Sequence, residues 1–337
     1  MTVDPVRWGV LGAARIALDK VIPSMQEGKL SRVVAIASRS AEKARAAAGA
    51  LGIERAYDSY EALIADPDIE AIYNPLPNHL HVPWSIRAVQ AGKHVLCEKP
   101  IALSAQEALE LRDASRQAGV LVGEAFMVRA HPQWIEARRL IESGRIGALQ
   151  LVHGHFSYPR RDANDVRSRV EYGGGALLDI GCYPIVIARW MFGGEPQAAV
   201  AAIDRDPEYH VDRITSGVLR FDAGVATFSC AGAMVAHQRV ELFGDRGRMQ
   251  LDVPFTPRAS EACRLIITDG SRAATEVVEV DAVDQYTLQG DHFSAAIRGV
   301  GGGEVPSSID NAIANMAVID ALFRSAETGR WETIARS

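Results

Sequence analysis

The sequence predicts an α/β protein in two domains: a doubly wound parallel sheet over residues 1–125, then an α+β domain over 126–337 with a large, mostly antiparallel sheet. Three observations predict it. Short apolar runs alternate with helical patterns through the first 125 residues, as parallel strands do when helices cross over both faces of a sheet. After Arg129 the pattern becomes a series of short β-rich runs joined by tight turns, which is how antiparallel strands pair. At 337 residues the chain also exceeds what one hydrophobic core usually organises.

Val6 to Leu11 reads as the first strand, followed by a glycine turn and a helix running to Met25. Val33 to Ser38 is the second β-rich run, and the Ala-rich stretch Ala41 to Leu51 is a helix. Ala71–Tyr73, Val95–Leu96 and Val120–Gly123 are further short buried strands, separated by helices over His81–Ala91 and Ala105–Ala118. A helix over Ala130–Ser143 opens the second domain. Strands follow at Leu149–Tyr158, Ala198–Ile203, Ile214–Phe221, Val225–Ser229, Gln238–Phe243, Met249–Val253, Leu265–Thr268 and Glu276–Val280. Met191 and Phe192 end an apolar helix and read as core. Helices over Tyr286–Arg298 and Ile309–Thr328 close the chain and can return to pack on the first domain.

Composition narrows the function. A hydrophobic fraction of 48% with 23% charged residues is ordinary globular material. A net charge of −6 offers no general attraction to nucleic acid or to an anionic membrane. No run approaches the roughly 18 apolar residues of a membrane span, and Met1–Val6 lacks a signal peptide's basic start and apolar core. Cys97, Cys182, Cys230 and Cys263 are scattered, without a CxxC pair, and read as free thiols of a cytoplasmic protein. His79 with His81, and His153 with His155, stand two apart without a third ligand, a poor zinc site; no metal is expected.

The first chemistry-bearing motif is Gly12-Ala13-Ala14-Arg15-Ile16-Ala17, between the first strand and the first helix. It aligns with the Rossmann dinucleotide fingerprint, with Gly12 as the first glycine and alanines at the second and third. Such a turn needs small residues where backbone approaches pyrophosphate, and the helix start supplies N–H donors. Ala14 departs from the fingerprint, and the position in a βαβ unit carries the reading. The second strand ends in Ser38-Arg39-Ser40, with Lys43 a turn later. NAD sites usually place an acidic residue there for the ribose hydroxyls. A hydroxyl and a guanidinium suit a 2′-phosphate instead, so NADP is expected, with NAD as the alternative.

Asn74-Pro75-Leu76-Pro77-Asn78-His79-Leu80-His81, Glu98-Lys99-Pro100 and Gly175-Ala176-Leu177-Leu178-Asp179-Ile180-Gly181-Cys182-Tyr183 follow the Gly12 turn in order, with Tyr286, Gln289, Phe293, Pro306 and Asp310 near the end. In this order and spacing the chain resembles the glucose–fructose oxidoreductase, inositol dehydrogenase and rhizopine catabolism family, written Gfo/Idh/MocA, over essentially its whole length. The resemblance implies a Rossmann domain, a sheet domain whose open face mediates dimers or tetramers, and a sugar or polyol substrate. It implies that Asn78 and His81 line the nicotinamide side, that Glu98 and Lys99 stand near the reacting carbon, and that the bond before Pro100 is cis.

Oxidising a carbinol requires a group to take the hydroxyl proton. Lys99 is a candidate because burial lowers a lysine's pKa. The family's usual pattern is Asp-x-x-x-His, where this sequence has Asp179-x-x-x-Tyr183. Four residues along a helix bring both side chains to one face. A tyrosine is a poor base at neutral pH unless a cation stabilises the phenolate. The reading is therefore Tyr183 as proton acceptor, Lys99 as its cationic partner and substrate donor, and Asp179 as a hydroxyl anchor; Lys99 alone as base is the alternative. Tyrosine here resembles the dihydrodiol and NADP-dependent aldose dehydrogenase branch. Arg129 and His131 are substrate-side candidates, against an interdomain salt bridge or a helix cap. Arg167 is another, although Arg160, Arg161 and Arg169 make its loop generally basic. The expectation is an NADP-dependent oxidoreductase acting on CH–OH groups. A glycoside-cleaving enzyme that oxidises transiently and a non-catalytic dinucleotide sensor are the alternatives.

Overall fold

The computed structural model describes residues 3–159, 162–270, 275–302 and 304–335. The chain divides into two compact units, Met1–Ala130 with Asp284–Ile313, and His131–Val283 with Ala314–Ser337.

The first unit holds β1 (Val6–Leu11), α1 (Ile22–Gln26), β2 (Ser31–Ala37), α2 (Ala41–Leu51), β3 (Arg55–Tyr57), α3 (Tyr60–Ala65), β4 (Ala71–Asn74), α4 (His81–Gln90), β5 (His94–Cys97), α5 (Ala105–Ala118) and β6 (Val122–Glu124). The strands form one parallel sheet in the order β3-β2-β1-β4-β5-β6, the doubly wound arrangement of a dinucleotide-binding domain. Sequence signals set several helix ends. Ser40, Ser59 and Ser104 cap α2, α3 and α5 with their side chains, and Gly52 and Gly119 end α2 and α5 in the left-handed conformation. The short β3 and α3 carry no periodicity long enough to read from sequence, and are additions to the predicted elements.

The segment returning from the far end of the chain completes this unit's core. Phe293, from the helix Gln285–Arg298, stacks at a tilt on Trp8, with ring centroids 5.6 Å apart. Both rings are buried, and burying a side chain of that size contributes roughly 1.5–3 kcal/mol. Beside them Trp8 Nε1 donates to Ser294 Oγ at 3.1 Å, Asp291 accepts from the amides of Lys29 and Leu30 at 2.8 and 2.9 Å, and Arg298 pairs with Glu70 at 2.8 Å.

The second unit holds α6 (Pro132–Glu142), β7 (Leu149–Pro159), α7 (Cys182–Phe192), β8 (Ala198–Arg205), β9 (Asp212–Arg220), β10 (Val225–Ala231), β11 (Ala233–Gly244), β12 (Gly247–Leu251), β13 (Cys263–Asp269) and β14 (Thr275–Val280). The helices α8 (Gln285–Arg298) and α9 (Ile309–Thr328) and the strand β15 (Glu332–Thr333) follow in the chain. Nine strands form one sheet in the order β14-β13-β12-β11-β7-β10-β9-β8-β15. Every pairing is antiparallel except β7 with β10, which is parallel. Alternation sorts the side chains. Val152, Phe228, Leu242, Met249 and Leu265 are buried on one face, while His153, Thr227, Glu241 and Gln250 alternate with them on the other and stay partly exposed. Gly154 lets α7 approach closely, since a Cβ there would come within 2.8 Å of Pro184 Cβ. The helical stretch Val170–Phe192 is long and apolar enough to cross a membrane by length and composition, yet most of its apolar 18-residue window is buried, as in the core helix of a globular unit. All four cysteines are buried, and none is in a disulfide.

Candidate active site

The cofactor half lies at the C-terminal ends of the parallel strands. Gly12 closes β1 with φ +86°, and its amide donates to Ala37 O at 2.7 Å. A Cβ on Gly12 would come within 2.9 Å of Leu76 Cδ2, so the residue is glycine for both its conformation and its space. Ala13 and Ala14 leave the following turn bare, and Arg15, exposed and 3.8 Å from Asp19, begins the helix, which opens with a π-turn over Ala17–Val21. Ile16 packs against the core. Ser38, buried just past β2, accepts from the Ser40 amide at 3.3 Å, and Ser40 in turn accepts from the Lys43 amide at 3.3 Å. Arg39 and Lys43 stand exposed beside them. A bare glycine turn and a cationic, hydroxyl-rich one at neighbouring strand ends fit the pyrophosphate and a 2′-phosphate respectively.

The loop after β4 is held rigidly. Asn74 is buried, donates to His81 O and Ser85 Oγ at 3.1 Å each, and accepts from the Leu76 amide at 3.3 Å. His81 is buried too, with Nδ1 2.7 Å from Pro100 O and Nε2 2.6 Å from Leu76 O. Burial lowers this imidazole to about 4, against the two carbonyls, which favour the charged form; the neutral ring has one N–H and can donate to only one of them. His81 thus braces the loop against the segment that follows β5. Asn78 opens a 3₁₀ turn over Asn78–Leu80 and is half-buried.

Glu98 and Lys99 follow β5, and the Lys99–Pro100 bond is cis, as the resemblance implies. Glu98 Oε1 accepts from Tyr73 Oη at 2.7 Å. Lys99 is half-buried. Tyr286, on α8, feels both side chains: burial and then Glu98 push its phenol up, and Lys99 opposes them. Glu124 fixes the same turn from β6, accepting from the Ile101 amide at 2.8 Å. Arg129 donates through Nε to Pro306 O at 3.0 Å.

In the second unit, Asp179 and Tyr183 lie on one continuous helix, a π-turn over Leu177–Gly181 running directly into α7. Asp179 is buried, and its Oδ2 accepts from Tyr158 Oη, on β7, and from Arg167 Nε at 2.8 Å. Arg167 also donates to Asp165; the carboxylate of Asp179, foremost, pushes the guanidinium pKa up. Tyr183 is buried against Phe156 and Phe255, at centroid distances of 5.8 and 5.5 Å. The turn that presents Asp179 is pinned by Asp212, which accepts from the Leu177 amide at 2.6 Å and Thr215 Oγ1 at 3.0 Å. Burial raises the Asp212 carboxyl to about 6. A small cavity of about 40 Å³ borders Tyr158, Arg167, Tyr209 and Asp212. His131 is the N-cap of α6: it is buried, accepts from the Gln133 amide at 3.1 Å and is lowered by burial to about 4. That is the helix-cap alternative of the sequence reading. Arg160 and Arg161 lie outside the described residues.

Tyr158 and Asp212 were not singled out by the sequence motifs. Each meets its partner through tertiary pairing, which spacing along the chain does not reveal.

Residues 6–126 match the profile of an oxidoreductase family with an NAD-binding Rossmann fold, and residues 134–250 match the GFO/IDH/MocA C-terminal domain. An uncharacterised oxidoreductase of Rhizobium meliloti is 46% identical over 336 residues, covering 98% of this chain and 100% of its own. The D-xylose 1-dehydrogenase (NADP(+)) 2 of Haloferax volcanii is 37% identical over 325 residues, covering 96% of this chain and 98% of its own. The 3-ketoreductase of Actinomadura kijaniata, solved in complex with NADP and TDP-benzene, matches with a TM-score of 0.88 at 30% identity, covering 96% of this chain and 98% of its own. That ketoreductase has also been solved with one tyrosine replaced by phenylalanine and with one lysine replaced by alanine.

Proposed function

Because the chain belongs to the Gfo/Idh/MocA family of oxidoreductases, we propose that it is an NADP-dependent enzyme moving hydride between the nicotinamide and a carbinol or carbonyl carbon of a sugar, polyol or cyclic diol. The observation that carries the reading is the end of β2, where Ser38, Arg39, Ser40 and Lys43 gather hydroxyls and positive charge. A ribose with free hydroxyls would favour a carboxylate there. The xylose dehydrogenase and the ketoreductase, one named for NADP and the other solved with it, support the same cofactor and a sugar-like substrate.

Bound NADP supplies the hydride acceptor, and the protein's own groups handle the proton and the orientation. Asp179, fixed through Oδ2, anchors a substrate hydroxyl. Tyr183, one turn further along the same helix, exchanges the proton, and Lys99 supplies the positive charge that lowers the cost of a phenolate. The lysine and tyrosine replaced in the ketoreductase are separated by the same number of residues as Lys99 and Tyr183, which supports these two assignments. The open face of the nine-stranded sheet is the surface for self-association into a dimer or tetramer, and a cytoplasmic setting belongs to the same reading.

A panel of aldoses, inositols and vicinal diols, assayed with NADP and NAD by reduced-cofactor fluorescence, tests the activity. NADPH formation with one substrate class is the expected result; tight NADP binding with no turnover on any of them overturns the reaction. Lys99→Met is expected to abolish turnover while NADP affinity stays within a few-fold by calorimetry. Unchanged turnover would remove Lys99 from the chemistry.

A further inference from the structure

Resting on the role given above to Asp179, we propose that Asp212 is its positioning residue. The Asp212 carboxylate, reaching in from β9, caps the helix that carries Asp179 and fixes where that helix begins, and so where Asp179 meets a substrate hydroxyl.

A helix leaves its first amides without partners inside the helix, and a polar side chain at its start normally accepts from one of them. Here the start is apolar. The helix opens with the π-turn Leu177–Gly181 and runs on through α7, and the residue before it, Ala176, carries no side chain that could cap. The acceptor comes instead from 35 residues further along the chain, where Asp212 Oδ2 takes the Leu177 amide at 2.6 Å. The same oxygen takes Thr215 Oγ1 at 3.0 Å, which ties the carboxylate to its own strand. Both residues are buried, and a negative charge beside a helix N-terminus is favourably placed against the helix dipole.

The turn before the helix is shaped to admit this carboxylate. Gly175 has φ +111°, and a Cβ on it would collide with Asp212 Oδ1, so a side chain there would push the carboxylate off the Leu177 amide. Gly175 also donates to Arg167 O at 3.0 Å and accepts from the Asp179 amide at 3.2 Å. Asp179 is therefore held twice, through its side chain by Arg167 and Tyr158, and through its backbone by a turn anchored to the sheet at Asp212. At the far end of the π-turn a Cβ on Gly181 would come within 2.8 Å of Cys230 Sγ. The turn is thus closely packed, and a shift at its start passes along it to Asp179. Stability does not explain Asp212, because burial raises its carboxyl to about 6, and at neutral pH the fold disfavours the charged form. What the residue supplies is a fixed acceptor at the start of the helix.

The test compares Asp212→Ala with Asp212→Asn in the full chain, reading kcat/KM with NADP and the substrate class that the panel identifies, and NADP affinity by calorimetry. Losing a charged acceptor supports an expected fall in kcat/KM of about tenfold for Asp212→Ala, with NADP affinity unchanged within twofold. Asp212→Asn, whose amide oxygen can still cap, should restore kcat/KM to within about threefold of the native value. In an Asp179→Asn background, Asp212→Ala should cost no more than about twofold, because the two act through one group. A kcat/KM within twofold of native in Asp212→Ala overturns the proposal, and so does an Asp212→Asn that loses as much as Asp212→Ala. Loss of NADP affinity alongside kcat/KM would make Asp212 a residue of the fold alone, and overturns it too. If Asp212→Ala does not fold, Thr215→Val replaces it, keeping the shape and removing one of the two bonds to Oδ2; about a threefold fall is expected, and no change overturns the proposal. If no member of the panel is turned over, or Asp179→Asn alone leaves kcat/KM intact, the reading of the site itself fails and takes this one with it.

Discussion

Two side-chain hydrogen bonds meet on one oxygen of Asp179. Tyr158 and Arg167 meet at Oδ2 from a strand and a loop, which orients the carboxylate as an acceptor rather than leaving it to swing. Removing one donor should be felt by substrate and not by cofactor. Tyr158→Phe is expected to lower kcat/KM by about tenfold or more, because a hydrogen bond to a charged group contributes about 1.5–3 kcal/mol, with NADP affinity unchanged by calorimetry. An unchanged kcat/KM would show that Asp179 needs no such support. That Asp179 and Tyr183 share one helix was legible, because four residues along a helix is a local relation. Tyr158 was not, because it stands 21 residues upstream on another element, and only the fold brings it there. Arg167 was a candidate on its charge alone, since its partner Asp179 could not be read from a basic loop.

At the scale of elements, local signals were strong where caps and periodicity agree. Sequence and structure give α2, α5 and α9 the same bounds, the first two set by serine caps and left-handed glycines. They were weak where an element is too short to show a period, as in β3 and α3. The glycine turn after β1 shows how much a single backbone conformation controls. Gly12→Ala would force a side chain into φ +86°, against Leu76 Cδ2 at 2.9 Å. Left-handed backbone costs a non-glycine residue roughly 1–2 kcal/mol, and relief by shifting the turn moves the amides proposed to meet phosphate. The expected outcome is a lowered melting temperature together with at least tenfold weaker binding of both NADP and NAD, read by scanning fluorimetry and calorimetry. Loss of both cofactors separates this turn from the β2 turn, whose variants should act on NADP alone.

At the scale of the whole molecule, buried titratable groups set a pH profile for stability. His131 and His81 are lowered to about 4 by burial, below the ordinary value near 6.5. The stability they contribute is full above pH 6.5 and is lost as pH falls through 4. Asp212 is raised to about 6, above the ordinary value near 3.9, so its contribution runs the other way: it is full below pH 3.9 and is lost as pH rises through 6. Between pH 4 and 6 the two histidines outweigh the one carboxyl. Each group is linked to at most about 1.4 kcal/mol per pH unit, so the melting temperature should fall on acidification, gently in the native protein and more steeply in Asp212→Asn. His131→Asn, which keeps a capping side chain, should flatten the fall. A variant series measured by scanning fluorimetry from pH 7 to 4 checks both signs.

Because residues 284–313 belong to the first unit, the protein cannot assemble in the order in which the ribosome makes it. The strands β1 to β6 emerge early, but Trp8 has no Phe293 to stack on and no Ser294 to receive its indole N–H until α8 has left the exit tunnel. The amides of Lys29 and Leu30 likewise wait for Asp291. Throughout that interval the nascent first unit carries an uncovered tryptophan and the fresh edge of a nearly finished core, while about 150 further residues are added. A stop between β6 and α8 would therefore release a chain in which both candidate phosphate turns are encoded, while Trp8 still lacks the cover of Phe293.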